Sequence, residues 1–229
     1  MDRIKSLGKR PFQFTIIAAI QFVLLTLIAM PLYAGGTGTD PSNTGYSFFR
    51  NFFSSLGLIV APNGEPNTVS AILFFIALLF AGLSLVVYFI VEPQFFWHKR
   101  SLRILSILGS IVGVFTGLCF MGVAFTPADL FLDAHAWFVI NAFRSFLVVV
   151  LFYTFAILLN RDYPNIYALV YIIFAVLLAA YIWLLFSGIG SDTPEGEMIQ
   201  ATGQKSIVYA AIICMLIQSY GSLKMPNRS

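Results

Sequence analysis

"PNTVSAILFFIALLFAGLSLVVYFIV", residues 66–91, runs for 26 positions without a charged side chain. A helix rises 1.5 Å per residue, so about 20 apolar residues cross a hydrocarbon core of about 30 Å. This stretch is long enough to span. It has counterparts at residues 11–34, 104–128 and 163–191, all equally free of charge, with a shorter run at 206–223. A sixth, residues 134–160, is interrupted only by His135 and Arg144.

Composition agrees with this reading. Only 10% of the 229 residues are charged, where a soluble domain has about 25%. Such a chain lacks the polar surface to cover a water-soluble globule. The expected fold is all-α, a single polytopic domain over residues 1–229 with six transmembrane helices. These are placed at about residues 12–33, 68–91, 102–125, 133–159, 165–186 and 202–223. The first apolar run is longer than the roughly 7–15 residues of a signal-peptide core, so it reads as a retained helix.

Basic residues orient the chain. With the N-terminus inside, Arg3, Lys5, Lys9, Arg10, Lys99, Arg100, Arg103, Arg161, Lys224 and Arg228 fall on the inner side, against Arg50 and Lys205 outside. Both termini are therefore expected in the cytoplasm. The net charge of +3 reflects this topology, and no nucleic-acid partner is implied. Cys119 and Cys214 lie inside predicted helices, so neither a disulfide framework nor zinc-ligand spacing is present. The outer loops hold no N-x-[ST] acceptor, which favours a bacterial or archaeal inner membrane. No metal or cofactor is expected.

The first outer loop, residues 34–67, is the longest connection. It opens with "GGTGTDPSNTG" and turns apolar in "YSFFRNFFSSLGLIV", residues 46–60. Phe48, Phe49, Phe52 and Phe53 recur at helical spacing, with Arg50 and Asn51 opposite. That pattern predicts a short helix in the outer interface or dipping into the bundle. Gly109, Gly113 and Gly117 form a small-residue stripe on the third helix, which lets a neighbouring helix approach closely. No internal repeat of the kind seen in inverted-repeat transporters emerges.

"FTPADLFLDAHAWFVINAFRSF", residues 125–146, carries the candidate chemistry. At 100° per residue, Asp133, Trp137, Asn141 and Arg144 share one face of the fourth helix. Arg144 is 11 positions beyond Asp133, roughly 16 Å, which predicts a charge near the bilayer midplane. Such a charge is expected to face the bundle interior or a wet cavity and to have a partner. Polar groups of neighbouring helices could supply it, or the anionic head of a lipid could. His135 points to the opposite face. Ser54 or Ser55 with His135 and Asp129 would be a formal hydrolase set, without a nucleophile-elbow motif to support it.

"YSFFRNFFSSLG" followed by "APNGEPNTVSAILFFIALLFAGL" resembles the six-helix membrane proteins of the DRAM-like and FGF-receptor-activating-protein superfamily, nearest to prokaryotic members of unknown function. Ser54, Ser55, Leu56 and Gly57 fall on its serine-acidic-leucine/isoleucine-glycine motif, with Ser55 in place of the acidic residue. Pro127, Asp129 and His135 match a Pro-x-Asp after helix 3 and a His opening helix 4. The resemblance implies the same six-helix fold and roles in membrane-lipid organisation or remodelling.

The expected function is thus a non-enzymatic membrane protein that binds or organises lipid at an outer-leaflet cavity. Arg144, Asn141, Asp133, Trp137, His135, Asp129, Arg50, Ser54 and Ser55 are its candidate residues. Alternatives are an accessory subunit packed on other membrane proteins, a lipid-directed hydrolase or transferase, and a small-solute transporter.

Overall fold

The computed structural model describes residues 8–225. Six long helices follow one another: α1 (Arg10–Ala29), α2 (Thr68–Val91), α3 (Arg100–Phe125), α4 (Leu132–Leu158), α5 (Ile166–Phe186) and α6 (Pro194–Lys224). All six are long and apolar enough to cross a membrane. Each packs against the next, and α1 packs against α6, which closes the helices into a ring. Short connections join α2 to α3, through the 3-10 turn Glu92–Phe96, and α4 to α5. They lie with the described chain ends at one end of the bundle, the termini end. The segments 30–67, 126–131 and 187–193 make up the other, the loop end.

The glycine stripe brings backbones together at Gly117, while Gly113 seats the Phe89 ring of α2 and Gly109 faces Phe152 and Tyr153 of α4. A Cβ on Gly117 would fall 2.7 Å from the Gly82 carbonyl oxygen, and one on Gly82 would fall 2.8 Å from the Gly117 carbonyl. The backbones of α2 and α3 therefore touch where no side chain intervenes, which supplies packing that lipid cannot. Ser110 ties the same seam to α4: its hydroxyl donates to the Phe89 carbonyl and lies 2.7 Å from the Tyr153 hydroxyl. Aromatic rings fill the rest of the termini half, with Phe89, Phe96, Tyr153 and Tyr163 fully enclosed.

Three expectations are corrected. First, α1 ends at Ala29, short of residue 33, after which the chain turns at Pro31. Second, α6 starts at Pro194, not at 202, so all of "PEGEMIQ" is helical. Thr193 caps it by accepting from the Gly196 N–H at 3.1 Å, with Pro194 and two glutamates in the first turn; these are ordinary helix-start residues. Third, residues 46–60 do not form an amphipathic helix. Only Ser54–Gly57 is helical, as a single 3-10 turn.

Polar side chains outcompete helix formation in that loop. Asn51 accepts from the Ser47 N–H at 2.8 Å and donates to the Gly36 carbonyl at 2.9 Å. The Tyr46 hydroxyl donates to the Phe52 carbonyl at 2.9 Å. Phe48 and Phe49 consequently point outward while Phe53 is buried between the rings of Phe22 and Tyr209. The loop is a folded cap over the ring of helices.

Candidate functional site

The cap is held down by the first half of α6. Glu197 is buried, and its carboxylate accepts from the Thr37 hydroxyl at 3.0 Å, the Gly38 N–H at 2.6 Å and the Thr39 hydroxyl at 2.5 Å. No basic side chain among the described residues pairs with it. Three donors and the positive end of α6 carry its charge. Two turns on, Gln204 accepts from the Phe53 N–H at 2.8 Å. Lys205 is also buried, donates to the Asn51 carbonyl, and places its ammonium 5.3–5.7 Å from the ring centres of Tyr46, Phe48 and Phe53. The cation is stabilised by aromatic faces. Burial, helped by the Glu197 charge, pushes the Tyr33 phenol up, and burial, helped by the neighbouring phenols of Tyr209 and Tyr33, does the same to Tyr46. Both stay neutral hydrogen-bonding groups. On the rim, the Ser42 hydroxyl and N–H hold the Asp40 carboxyl below the usual carboxylate range.

Beneath the cap lies a cavity of about 110 Å³ enclosed by α1, α2, α3, α4 and α6, with Phe53 and Ser54 above it. Of its four polar wall side chains, Thr15, Ser84 and Gln204 are already engaged, and Ser54 sits at the cap end. Thr15 donates to the Pro11 and Ser84 carbonyls, Ser84 donates to Ala81, and the Gln204 oxygen is held by Phe53. The surface left to a guest is that of Ala19, Leu78, Phe120, Val139, Phe143 and Ala211. A space so lined stays dry and suits an apolar guest.

A second cavity of about 230 Å³ shares Ser54, Phe74 and Val123 with the first and extends to the rim of the loop end, where Thr68, Pro127 and His135 line it. One of its walls is Ile72, whose side is 53% exposed on the outer face of α2. His135 is buried, and its Nδ1–H donates to the Thr126 carbonyl at 2.6 Å. That bond fixes the ring as a wall of the rim cavity.

The candidate residues from sequence separate into two groups. Ser54 and His135 come together around the second cavity. Asp129 lies close by but accepts from the backbone N–H groups of Ile59 and Val60 at 3.0–3.2 Å. It pins the cap to the α3–α4 connection. No hydrogen bond joins Ser54 or Ser55 to His135, or His135 to Asp129, so the hydrolase set is not assembled. Arg50 is half-buried beside Asp40 in the cap.

The stripe of α4 faces away from both cavities. Asp133 and Arg144 are exposed, Trp137 is 51% exposed, and Asn141 donates to the Trp137 carbonyl of its own helix at 2.8 Å. The expected inward, midplane position of Arg144 is therefore corrected. Its guanidinium lies on the outer surface, 4.4 Å over the Phe186 ring at the loop-end tip of α5. Helix lengths explain the error. α4 has 27 residues and α5 has 21, so from their shared turn α4 rises roughly 9 Å higher. Counting depth from the start of α4 places Arg144 too deep, and its flexible stem lifts the charge further toward the rim.

Sequence reasoning missed Glu197 and Lys205 as the anchors of the cap. The helix-start signature "TPEGE" at residues 193–197 was available to find the first. Lys205 carried only its solitude in an apolar helix as a signal. Among the described residues, no three His, Cys, Asp or Glu side chains converge as a metal site would require.

No protein-family model matches this chain, and neither does any curated protein or solved structure.

Proposed function

We propose that this chain is a multi-pass membrane protein that holds the acyl chain of a membrane lipid in the apolar cavity, the lipid entering sideways through the rim cavity beside His135. The single observation that carries the reading is the wall chemistry: the inner cavity is lined almost wholly by apolar side chains, and Thr15, Ser84 and the Gln204 oxygen are already hydrogen-bonded within the protein, leaving the Ser54 hydroxyl at its cap end. An engineered apolar cavity of about 150 Å³ accepts benzene, so 110 Å³ takes the last few carbons of a chain. Leaving bilayer for protein brings no hydrophobic gain, because lipid tails are as apolar as the wall. The gain is the filled void. At about 24 cal/mol per Å³, 110 Å³ corresponds to about 2.6 kcal/mol.

Placement in a bacterial or archaeal inner membrane, termini inward, rests on the distribution of basic residues. Membership of the DRAM-like superfamily is a proposal of the same standing, carried by Ser54–Gly57 and by Pro127, Asp129 and His135.

Native mass spectrometry of the gently delipidated protein tests the lipid reading. Ala211→Phe projects a ring into the cavity. Wild type is expected to retain one lipid-mass adduct that this variant loses, while Arg144→Leu keeps it. Adducts that are identical in wild type and Ala211→Phe would end the proposal.

One observation favours a second role as an accessory subunit. The spanning window of α5 is only 22% buried, against 39–50% for the other five helices. Its outer side displays Ile173, Val176 and Trp183. A cysteine at Val176 that cross-links to one defined membrane protein in native vesicles would support that role, and labelling by lipid alone would remove it.

A further inference from the structure

At the termini end, Glu92 closes α2 with 1% of its surface exposed, and no charged side chain among the described residues pairs with it. Its carboxylate meets only hydroxyl groups of normal geometry: the Tyr163 hydroxyl at 3.2 Å on one oxygen and the Ser222 hydroxyl at 2.9 Å on the other. Further enclosed polar groups in this half of the bundle meet no partner at full hydrogen-bond geometry. The hydroxyls of Tyr88 and Tyr171, the Gln218 Oε1 and the Ser219 hydroxyl are each enclosed and unbonded. Their residues are 0–1% exposed. Tyr88 lies beside Glu92, Tyr171 and Ser222 without completing a hydrogen bond to any of them.

We infer that this pocket is a binding site for one monovalent cation, a proton or an alkali ion, held by the Glu92 carboxylate and the oxygens of Tyr88, Tyr163 and Ser222. The site deals only in oxygen ligands and a single negative charge. An ionised carboxylate enclosed without a countercharge costs several kcal/mol, and each unbonded enclosed hydroxyl adds its own desolvation cost. One positive guest removes both. Ser222 sharpens the point, because its hydroxyl also reaches the Gln218 carbonyl at 3.1 Å, four residues back on α6. When its proton turns there, the Glu92 oxygen 2.9 Å away faces a lone pair, and the close approach then requires a proton or a metal ion between them. A proton on that oxygen lets the carboxyl donate; an alkali ion instead gathers the carboxylate, the phenols and the Ser222 hydroxyl, all hard ligands of the kind such ions take.

The other titratable groups facing Glu92 are Tyr88 on α2, Tyr153 on α4, Tyr163 in the α4–α5 turn and Tyr171 on α5, with Cys214 on α6 against Tyr171. α1 contributes Phe12, which packs on Tyr88, and no charge. These neighbours are phenols and a thiol, so Glu92→Gln removes the carboxylate from the group.

The test uses the full chain in lipid nanodiscs, in choline chloride, titrated with acid and base and then with NaCl or KCl. Infrared difference spectra and the melting temperature are read for wild type, Glu92→Gln and Tyr88→Phe. If the guest is a proton, wild type shows a protonated-carboxyl C=O band that Glu92→Gln lacks and that fades as pH rises. Its melting temperature falls over the same interval, because the folded state binds more protons than the unfolded one. If the guest is an alkali ion, the melting temperature rises with added salt of one cation and not of choline, and Glu92→Gln loses that rise. Tyr88→Phe keeps the carboxyl and is expected to shift either midpoint by about tenfold, the value of one hydrogen bond to a charged group. It serves even where Glu92→Gln fails to fold. A wild type without the protonated band, whose melting temperature ignores pH, Na⁺ and K⁺, overturns the inference.

Discussion

Replacing Glu197 by alanine should release the cap. Three donors converge on this carboxylate at 2.5–3.0 Å, and hydrogen bonds to a charged group contribute about 1.5–3 kcal/mol each. They do not all count in full. Gly38 is exposed and Thr39 half-buried, so both recover water in the variant, whereas Thr37 is 0% exposed and does not. The expected loss is about 3–5 kcal/mol against local opening of residues 36–43. With tenfold per 1.4 kcal/mol, exchange of the Gly36 and Thr37 amides, which bond to Asn43 and Asp40 in the cap, should accelerate by roughly two to four decades. Hydrogen–deuterium exchange with mass spectrometry in nanodiscs reads this directly. Glu197→Gln should recover part of the protection, because its oxygen can still accept from Gly38. Glu195→Ala, at an exposed position two residues earlier, is the control. Unchanged exchange across residues 36–43 in Glu197→Ala would refute the anchoring argument.

Arg144→Leu should change stability by no more than about 1 kcal/mol in thermal or denaturant unfolding, because an exposed cation–ring contact is worth about 0.5–1 kcal/mol and a lipid-facing leucine replaces it. Gly117→Ala should cost about 1–3 kcal/mol, measured in the same assay, since the new methyl meets the Gly82 carbonyl of the backbone and no side chain can yield. Burial raises Tyr33 and Tyr46 in the folded cap, so their contribution is complete below the unfolded phenol value of about 10 and is lost as pH climbs above it. Tyrosinate absorbance during alkaline titration should therefore rise together with exchange at residues 36–43, and Tyr46→Phe should leave a smaller step.

The six spans were legible because length and freedom from charge decide them, and the close contact at Gly117 was legible because only small residues permit backbone contact, whereas Gly109 and Gly113 make room for aromatic rings. Local signals that compete with one another were harder. The four phenylalanines of residues 48–53 show helical spacing, yet Asn51 and Tyr46 draw the same backbone into turns. Arg144 was misplaced because depth in a bilayer depends on where the neighbouring helix ends, which one helix alone cannot reveal. Whether Ser54 and His135 meet was left open by the sequence; they line one cavity at the loop end, and His135 reaches it from the face of α4 opposite the polar stripe. Glu197 was assigned to a loop, and its role depends on donors about 160 residues earlier in the chain, a pairing that no local pattern carries.

The most direct measurement of the central claim is photolabelling with a lipid bearing a diazirine near the end of its acyl chain, followed by peptide mapping. A chain seated in the cavity predicts label on α4 at Val139 and Phe143 and on α6 between residues 208 and 215, abolished by Ala211→Phe. Label confined to the exposed side of α5 and the outer face of α3, and unaffected by Ala211→Phe, would contradict it.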